Sequence, residues 1–133
     1  ALCRERVMSS GRSCAEVTVV HKGTNIMIGV GRPTLDPNRE DAYDTTDFWG
    51  MSSSGQLCHN RADQDWQGKQ GYGTGDVLRL LLDSDAGTLT VKKNGTLLGV
   101  AVTSGLTGDL CWAVSCRESG NSVRIKAVDP AEF

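Results

Sequence analysis

The fold is decided by the stretch Gly75-Asp-Val-Leu-Arg-Leu-Leu-Leu-Asp-Ser-Asp-Ala-Gly-Thr-Leu-Thr-Val-Lys-Lys-Asn-Gly-Thr-Leu-Leu-Gly-Val-Ala-Val102, which a short loop joins to Leu110-Cys-Trp-Ala-Val114. Its apolar runs are separated by turn-forming residues, which is the pattern of short β-strands. Asn94-Gly95 lies between two of these runs, and both residue types tolerate the positive φ that a two-residue type I′ turn needs. The stretch therefore predicts β-strands with a tight hairpin at Asn94-Gly95.

The rest of the chain continues this all-β pattern. Ala15, Val17 and Val19 alternate with polar residues, which predicts a strand with one buried face. The near-continuous apolar run Val77–Leu82 predicts a central strand covered on both faces, or one flanked by other secondary structure. A length of 133 residues is that of a single domain, 1–133. The short spacing predicts a sandwich or barrel, with strands at Ser13–Val20, Asn25–Gly31, Phe48–Met51, Gln56–Asn60, Asp76–Asp83, Thr88–Lys93, Thr96–Thr103, Leu110–Arg117 and Ser122–Val128.

Composition limits the classes of partner. The net charge is −2 and the cations are scattered, which argues against nucleic acid or an anionic membrane as the main partner. No apolar run reaches the length of about 18 residues that a membrane span requires. The first residue is Ala1 and Arg4 interrupts the start, so we expect a segment excised from a longer protein, without a secretion signal.

The five cysteines show no paired spacing. They lack a Cys-x-x-Cys pair, and two histidines are too few for the usual structural zinc patterns. We therefore expect free thiols in an intracellular protein, no metal site and no cofactor. The cysteines are Cys3, Cys14, Cys58, Cys111 and Cys116.

Candidate catalytic motifs have simpler structural interpretations. Gly71–Gly75 resembles a phosphate loop but leads into a strand rather than a helix. Asp83 and Asp85 lie in a turn, where aspartates bond local amides. The sequence has no nucleophile elbow, and His59 within Leu57-Cys58-His59-Asn60 is interpreted as structural. We therefore expect a protein that is not an enzyme. Two irregular stretches, 32–46 and 61–74, are long enough to recognise a partner.

Several motifs together resemble the SPRY domain family, also called B30.2. The stretch from Gly75 is similar to the family block G-D-V-I-x-x-x-L-D-x-x-x-G-T-L-x-F-x-x-N-G-x-x-L-G-V-A. Other segments resemble its S-G-x-x-Y-W-E-V, I-G-V-A, S-W-G, L-Y-H-N-G and S-V-R-V motifs. They are Ser10–Val17, Ile26–Gly31, Phe48–Gly50, Leu57–Asn60 and Ser122–Ile125. Cys14, Cys58 and Cys111 stand where the family has aromatic residues, so we expect them to be buried.

The resemblance implies a bent β-sandwich of two antiparallel sheets, a concanavalin-like jelly-roll architecture. It also implies a non-catalytic protein–protein interaction module that recognises a short peptide or loop through the loops at one end of the sandwich. Tyr43 is the preferred anchor, because Tyr offers contact area at low entropic cost; the alternative is that it packs under its own loop. The implied partner-binding residues are Ser9, Ser10, Gly23, Thr24, Tyr43, Arg117, Glu118 and Ser119.

Two other functions stay open at this point. A carbohydrate-binding, lectin-like sandwich would expose a Trp on a sheet face, and Trp66 is the candidate. An architectural domain would dock on its own parent protein. In each case we expect a monomeric domain within a larger protein, located inside the cell, in the cytoplasm with the nucleus left open. The sequence does not identify the partner or the parent protein.

Overall fold

The computed structural model describes residues 7–23, 26–35, 45–116 and 120–133, without the side chain of Cys116. The described residues form ten β-strands and one 3-10 turn at Pro130–Glu132. The strands are β1 (Arg12–His21), β2 (Ile26–Gly31), β3 (Phe48–Ser52), β4 (Leu57–His59), β5 (Ala62–Gln64), β6 (Val77–Asp83), β7 (Thr88–Lys93), β8 (Thr96–Val102), β9 (Cys111–Cys116) and β10 (Ser122–Val128).

The strands make two five-stranded antiparallel sheets. The first sheet has the order β10-β1-β6-β7-β8 and the second has the order β5-β4-β3-β2-β9. This arrangement confirms the predicted all-β sandwich, and each of the nine predicted strands agrees with an observed strand within one residue at both ends. The tenth strand, β5, lies inside the stretch 61–74 that we predicted to be irregular, so that part of the prediction is wrong.

The core lies between the two sheets. Ala15, Val17 and Val19 of β1 are fully buried, as their alternation predicted. In β6, Leu78, Leu80 and Leu82 are buried, whereas the residues between them are half-buried. Of the two predicted arrangements, cover on both faces is wrong, because only one face of β6 is fully covered, whereas β6 is a central strand flanked by β1 and β7.

Three of the predicted free cysteines are buried. Cys14, Cys58 and Cys111 are free cysteines with little exposed surface, which confirms their predicted burial. Trp112 and Met51 are also buried, and both belong to the main hydrophobic core. Cys3 and the side chain of Cys116 lie outside the described part of the chain.

Burial also suppresses thiol reactivity. Burial, followed by the hydrogen bond that Cys58 Sγ donates to Asp63 at 3.2 Å, raises the pKa of Cys58 to about 12. Burial likewise raises the pKa of Cys14. The thiolate is the nucleophile, so we expect the three buried cysteines to alkylate far more slowly in the native protein than after denaturation. Intact-mass measurement checks this. Fast native labelling of all three, or a mass lowered by the two hydrogens of a disulfide, would contradict it.

The Asn94-Gly95 turn has the predicted geometry. Lys93 pairs with Thr96, so the loop has two residues, and φ is 50° at Asn94 and 83° at Gly95. The Asn94 side chain accepts a hydrogen bond from the Val77 amide at 2.9 Å and donates to Asp76 at 2.9 Å. The Asn94 hydrogen bond, followed by one from the Gly73 amide, lowers the pKa of Asp76. The Asn94 side chain thus links the hairpin to the start of β6, in addition to the strand pairing that closes the turn.

Gly95→Val is expected to destabilise the domain by about 1 kcal/mol or more, because a β-branched residue resists positive φ. A side chain at Gly95 would point into open space, so the cost is conformational rather than steric. Gly95→Asn is the matched control, since Asn tolerates this region. Thermal unfolding measures both variants, and an unchanged melting temperature for Gly95→Val would contradict the assignment.

The loop before β6, which resembles a phosphate loop in sequence, has a structural role. Tyr72 is buried, and its hydroxyl donates to the Met51 carbonyl oxygen at 2.7 Å and lies 3.3 Å from that of Ile26. The Gly73 amide donates to Asp76 at 2.8 Å. The backbone amides and the aromatic side chain of this segment therefore hold neighbouring strands together.

Candidate functional site

The described expected binding residues, Ser9, Ser10 and Gly23, lie at two ends of the sandwich. We call the end where β1 begins the leading end and the end where β1 finishes the trailing end. Ser9 and Ser10 are exposed just before β1, and Gly23 follows its last residue. A regular ten-residue strand spans about 30 Å, so Ser9 and Ser10 do not share one compact patch with Gly23.

Hydrogen bonds to neighbouring loops confirm this separation. At the leading end, the Gly11 amide donates to Asp85, in the turn after β6. At the trailing end, the Lys22 amide donates to Thr74, in the loop before β6, at 2.9 Å. The Gly23 amide donates to the Asn121 side chain, which brings the β1–β2 connection next to the β9–β10 connection.

Five of the expected residues lie outside the described part of the chain. The connection that contains Tyr43 leaves β2 and rejoins the described chain at Thr45, close to the start of β3 at the leading end. Thr24 belongs to the connection between β1 and β2, and the other three residues belong to the connection between β9 and β10; both connections leave the described chain at the trailing end. The five residues are Thr24, Tyr43, Arg117, Glu118 and Ser119.

The leading end carries a stack of three partly exposed side chains, which we call the Arg–Trp–His stack: Arg32, Trp49 and His59. The rings of Trp49 and His59 are parallel within 7° and their centroids are 4.4 Å apart. The Arg32 guanidinium carbon lies 5.2 Å from the centre of the Trp49 ring, within the range of a cation–π contact. All three side chains are half-buried, so the stack has both support from the fold and a surface that a partner can reach.

Strand pairing and hydrogen bonds fix this stack. The pairing of Gly50 with Cys58 places Trp49 beside His59 on the same face of neighbouring strands. His59 Nδ1 lies 2.8 Å from the carbonyl oxygen of Phe48, which orients the imidazole. This contact agrees with the structural role predicted for His59.

Arg32 connects the stack to the chain around Ser9 and Ser10. Its guanidinium donates to the carbonyl oxygen of Thr107 and, at 3.3 Å, to that of Asp109. The next residue, Leu110, forms a bridge with Met8, which directly precedes Ser9. The stack, the exposed serines and the attachment points of the Tyr43 segment therefore belong to one rim at the leading end.

Sequence analysis did not identify the Arg–Trp–His stack as a site. The three residues come from three segments, and only strand register brings them together. The available signal was the pairing of the S-W-G and L-Y-H-N-G motifs as adjacent strands. That pairing would have aligned Trp49 with His59.

Trp66 does not occupy the position that a lectin-like interpretation required. It is half-buried, packs against the core and donates its indole N–H to the Gly55 carbonyl oxygen at 2.7 Å. It follows β5 in a loop rather than standing on an exposed sheet face. Trp66 therefore does not supply the exposed sheet-face Trp that the lectin-like alternative requires.

The acidic residues of the candidate catalytic motif lie in a turn. Asp83 accepts hydrogen bonds from the amides of Asp85 and Ala86 at 3.1 and 3.0 Å. Within the described ranges, the His, Cys, Asp and Glu side chains do not form a group of three that could hold a metal ion. No helix in those same ranges is long and apolar enough to span a membrane.

The family model for the SPRY domain matches residues 15–128 of this chain. The chain belongs to the SPRY domain family. The matched region runs from β1 to the end of β10 and so includes the strands that build the leading end. SPRY domains are generally protein-interaction modules without catalytic activity.

Curated relatives of this SPRY domain are longer proteins. It is 28% identical over 113 residues to the SPRY domain-containing SOCS box protein 3 of Xenopus tropicalis, covering 77% of this chain and 30% of that protein. The Xenopus laevis protein of the same name is 27% identical over 113 residues, with the same coverage. The chain thus spans about a third of the length of these relatives.

A solved structure confirms the architecture of this SPRY domain. The SPRY domain of human HERC1 superposes with a TM-score of 0.73 at 23% sequence identity, covering 93% of this chain and 78% of that chain. At this identity the similarity concerns the fold. It establishes the sandwich on which the two ends described above are built.

Proposed function

We propose that this domain is a non-catalytic module that recognises a short peptide or loop of a protein partner through the rim at its leading end. The observation that carries the proposal is the partly exposed Arg–Trp–His stack. Trp and Arg are enriched among the residues that dominate binding energy, and such residues act best where the fold supports them. The stack meets both conditions, because β3 and β4 hold its rings in place.

The proposed surface adds Ser9, Ser10 and Tyr43 to this stack. The two serines supply small, exposed hydrogen-bonding groups beside it. Tyr43 belongs to the segment Asp36–Asp47, which carries five acidic residues against one basic residue, Arg39. Charge complementarity therefore favours partners that present Lys or Arg near Tyr43, and this preference weakens with added salt.

We assign the remaining proposed residues to a second group, because the connections that contain them leave the described chain at the trailing end. They are Gly23, Thr24, Arg117, Glu118 and Ser119. A short peptide bound at the rim does not reach both groups, because β1 separates the ends. We assign this second group to contacts with a larger partner surface. Arg117→Ala therefore reports whether the partner extends to the trailing end.

Tyr43→Ala is expected to weaken partner binding by about 1–3 kcal/mol, the range of a moderate hot spot, without unfolding the domain. Ser10→Arg should also reduce binding, because a long side chain would obstruct the rim at an exposed position. A peptide array identifies ligands, titration calorimetry gives the affinities, and circular dichroism checks folding.

Lys69→Ala is the control, since it removes an exposed side chain that pairs with Asp65 after β5, away from the rim. Its affinity should equal that of the wild type. If Tyr43→Ala and Ser10→Arg stay folded and bind the same ligands with unchanged affinity, the rim is not the binding surface. A loss of affinity confined to Arg117→Ala would indicate that the partner binds at the trailing end.

A further inference from the structure

The outer face of the first sheet is basic, although the chain as a whole has a net charge of −2. The register of β1, β6, β7 and β10 aligns cationic side chains on the face turned away from the core. Among the strand residues on this face, the carboxylates are Glu16 and Asp83, and Asp83 is bonded to amides of its own turn. Glu132 of the segment Pro130–Phe133 adds an acidic residue next to Arg79. The cations are Arg12, Arg79, Lys92, Arg124 and Lys126.

Glu16 neutralises only part of this charge. Its carboxylate accepts from Arg79 Nη2 at 3.1 Å and lies 3.9 Å from Lys126 Nζ. One acid thus serves two cations, and Lys92 and Arg124 add further positive charge beside them. A ligand with carboxylates would complete the charge balance of this face.

The segment Pro130–Phe133 shows which groups the cations of this face bind. Arg79 Nη1 donates to the main-chain oxygen of Glu132, and Lys92 Nζ donates to that of Phe133. Lys92 Nζ also lies 4.5 Å from the centre of the Phe133 ring, in a cation–π contact. Two cations of the sheet therefore bind consecutive main-chain oxygens of a segment with an acidic and an aromatic residue.

Space and apolar surface remain beside this segment. A cleft of about 380 Å³ adjoins Phe133 and is lined by Val77, Asn94 and Gly95 as well as by the charged residues. On the neighbouring strand β8, Leu97 is 59% exposed and Val100 is 42% exposed. Apolar contact area next to a basic strip suits a ligand that carries both carboxylates and apolar side chains.

We propose that the outer face of the first sheet is a second binding site, which takes an acidic peptide segment with an aromatic residue. Lys92 and Arg79 bind main-chain oxygens and carboxylates of the ligand, and the cleft beside Asn94 and Gly95 receives its apolar side chain. The tail Pro130–Phe133 occupies part of the same face and competes with the ligand. This site lies on a sheet face and prefers acidic ligands, so it is independent of the rim, for which we propose basic ligands.

The test uses a fluorescein-labelled, amide-capped peptide with the sequence Asp-Pro-Ala-Glu-Phe, that of residues 129–133. Fluorescence anisotropy measures its binding to the 133-residue chain. Phe133→Ala should bind it about threefold more tightly than the wild type, which is the gain expected if the tail occupies the face two thirds of the time. Binding should weaken as salt is added.

Two charge variants identify the face. Lys92→Gln in the Phe133→Ala background should abolish the gain in peptide affinity. Lys126→Glu should weaken peptide binding, and because the Lys126 side chain is 69% exposed, this change should not affect folding. Lys69→Glu is the matched control, because Lys69 pairs with Asp65 outside the first sheet and should leave binding unchanged. The peptide Asn-Pro-Ala-Gln-Phe, which lacks both carboxylates, should bind more weakly.

Several outcomes would overturn the proposal. They are equal binding of the neutral peptide, no gain with Phe133→Ala, and equal losses for Lys126→Glu and Lys69→Glu. A single-stranded oligonucleotide that binds the face more tightly than the peptide would also overturn it, since the basic strip would then serve nucleic acid.

Discussion

Gly29→Ala is expected to destabilise the domain strongly. An added Cβ at Gly29 would lie 1.9 Å from the carbonyl oxygen of Trp49 and 2.8 Å from the Cα of Gly50. Both atoms belong to the backbone of β3, the paired neighbour of β2. Relief of the clash requires separation of the two strands, because a backbone cannot rotate away as a side chain can. We expect a cost of about 3 kcal/mol or more, a large part of the stability of a small domain.

Gly73→Ala provides the comparison for this variant. Its added Cβ would lie 3.9 Å from Lys22 Cδ, the middle of a flexible side chain, and its φ is outside the left-handed region. This substitution should be nearly neutral. Thermal and urea unfolding followed by circular dichroism measure both variants. Melting temperatures that differ by less than about 2 °C would contradict the close approach of β2 and β3, given the shift of several degrees expected per kcal/mol in a domain of this size.

Tyr72→Ala is expected to destabilise the domain by about 3–5 kcal/mol, as for other large aromatic side chains removed from a core. Tyr72 is buried, and its hydroxyl bonds the Met51 carbonyl oxygen at the end of β3 and approaches that of Ile26 at the start of β2. Its removal leaves a cavity and also frees the loop before β6 from the second sheet.

Tyr72→Phe separates the two contributions. It keeps the ring but leaves the Met51 carbonyl without this donor, which costs about 1–3 kcal/mol for a buried group. Stability should therefore decrease in the order wild type, Tyr72→Phe, Tyr72→Ala. Equilibrium denaturation gives the three free energies of unfolding, and a Tyr72→Ala protein as stable as Tyr72→Phe would show that the ring does not fill the core.

The strands could be predicted because their signals are local. Alternation in β1 and the Asn94-Gly95 turn each depend on a few consecutive residues, and both are confirmed. The strand β5 was missed because Ala62–Gln64 is short and mostly polar. It forms because two residues with positive φ, Asn60 and Arg61, turn the chain back onto β4. The sequence Asn60-Arg61 did not predict this turn, because Gly is the residue expected at the second position of such a turn.

The candidate site was harder to predict for a related reason. The resemblance to SPRY domains supplied loop positions, but sequence order does not show at which end of the sandwich each loop lies. Ser10 and Gly23 are close in sequence, yet the strand between them separates them. Conversely, Arg32 and His59 are distant in sequence and meet through Trp49. Both results follow from strand register, which a single sequence specifies only weakly.

The two edges of the first sheet limit how this domain can associate with itself. The register of β8 against β7 shifts twice, between Leu89 and Thr90 and again between Val91 and Lys92. Such bulges increase the local twist and interrupt the regular spacing of backbone N–H donors and C=O acceptors along the edge. The opposite edge, β10, carries Arg124 and Lys126, which would repel the same strand of a second copy. One sheet thus protects its edges by two different physical means, irregular backbone spacing and like charge, and open-ended stacking of copies through either edge is disfavoured.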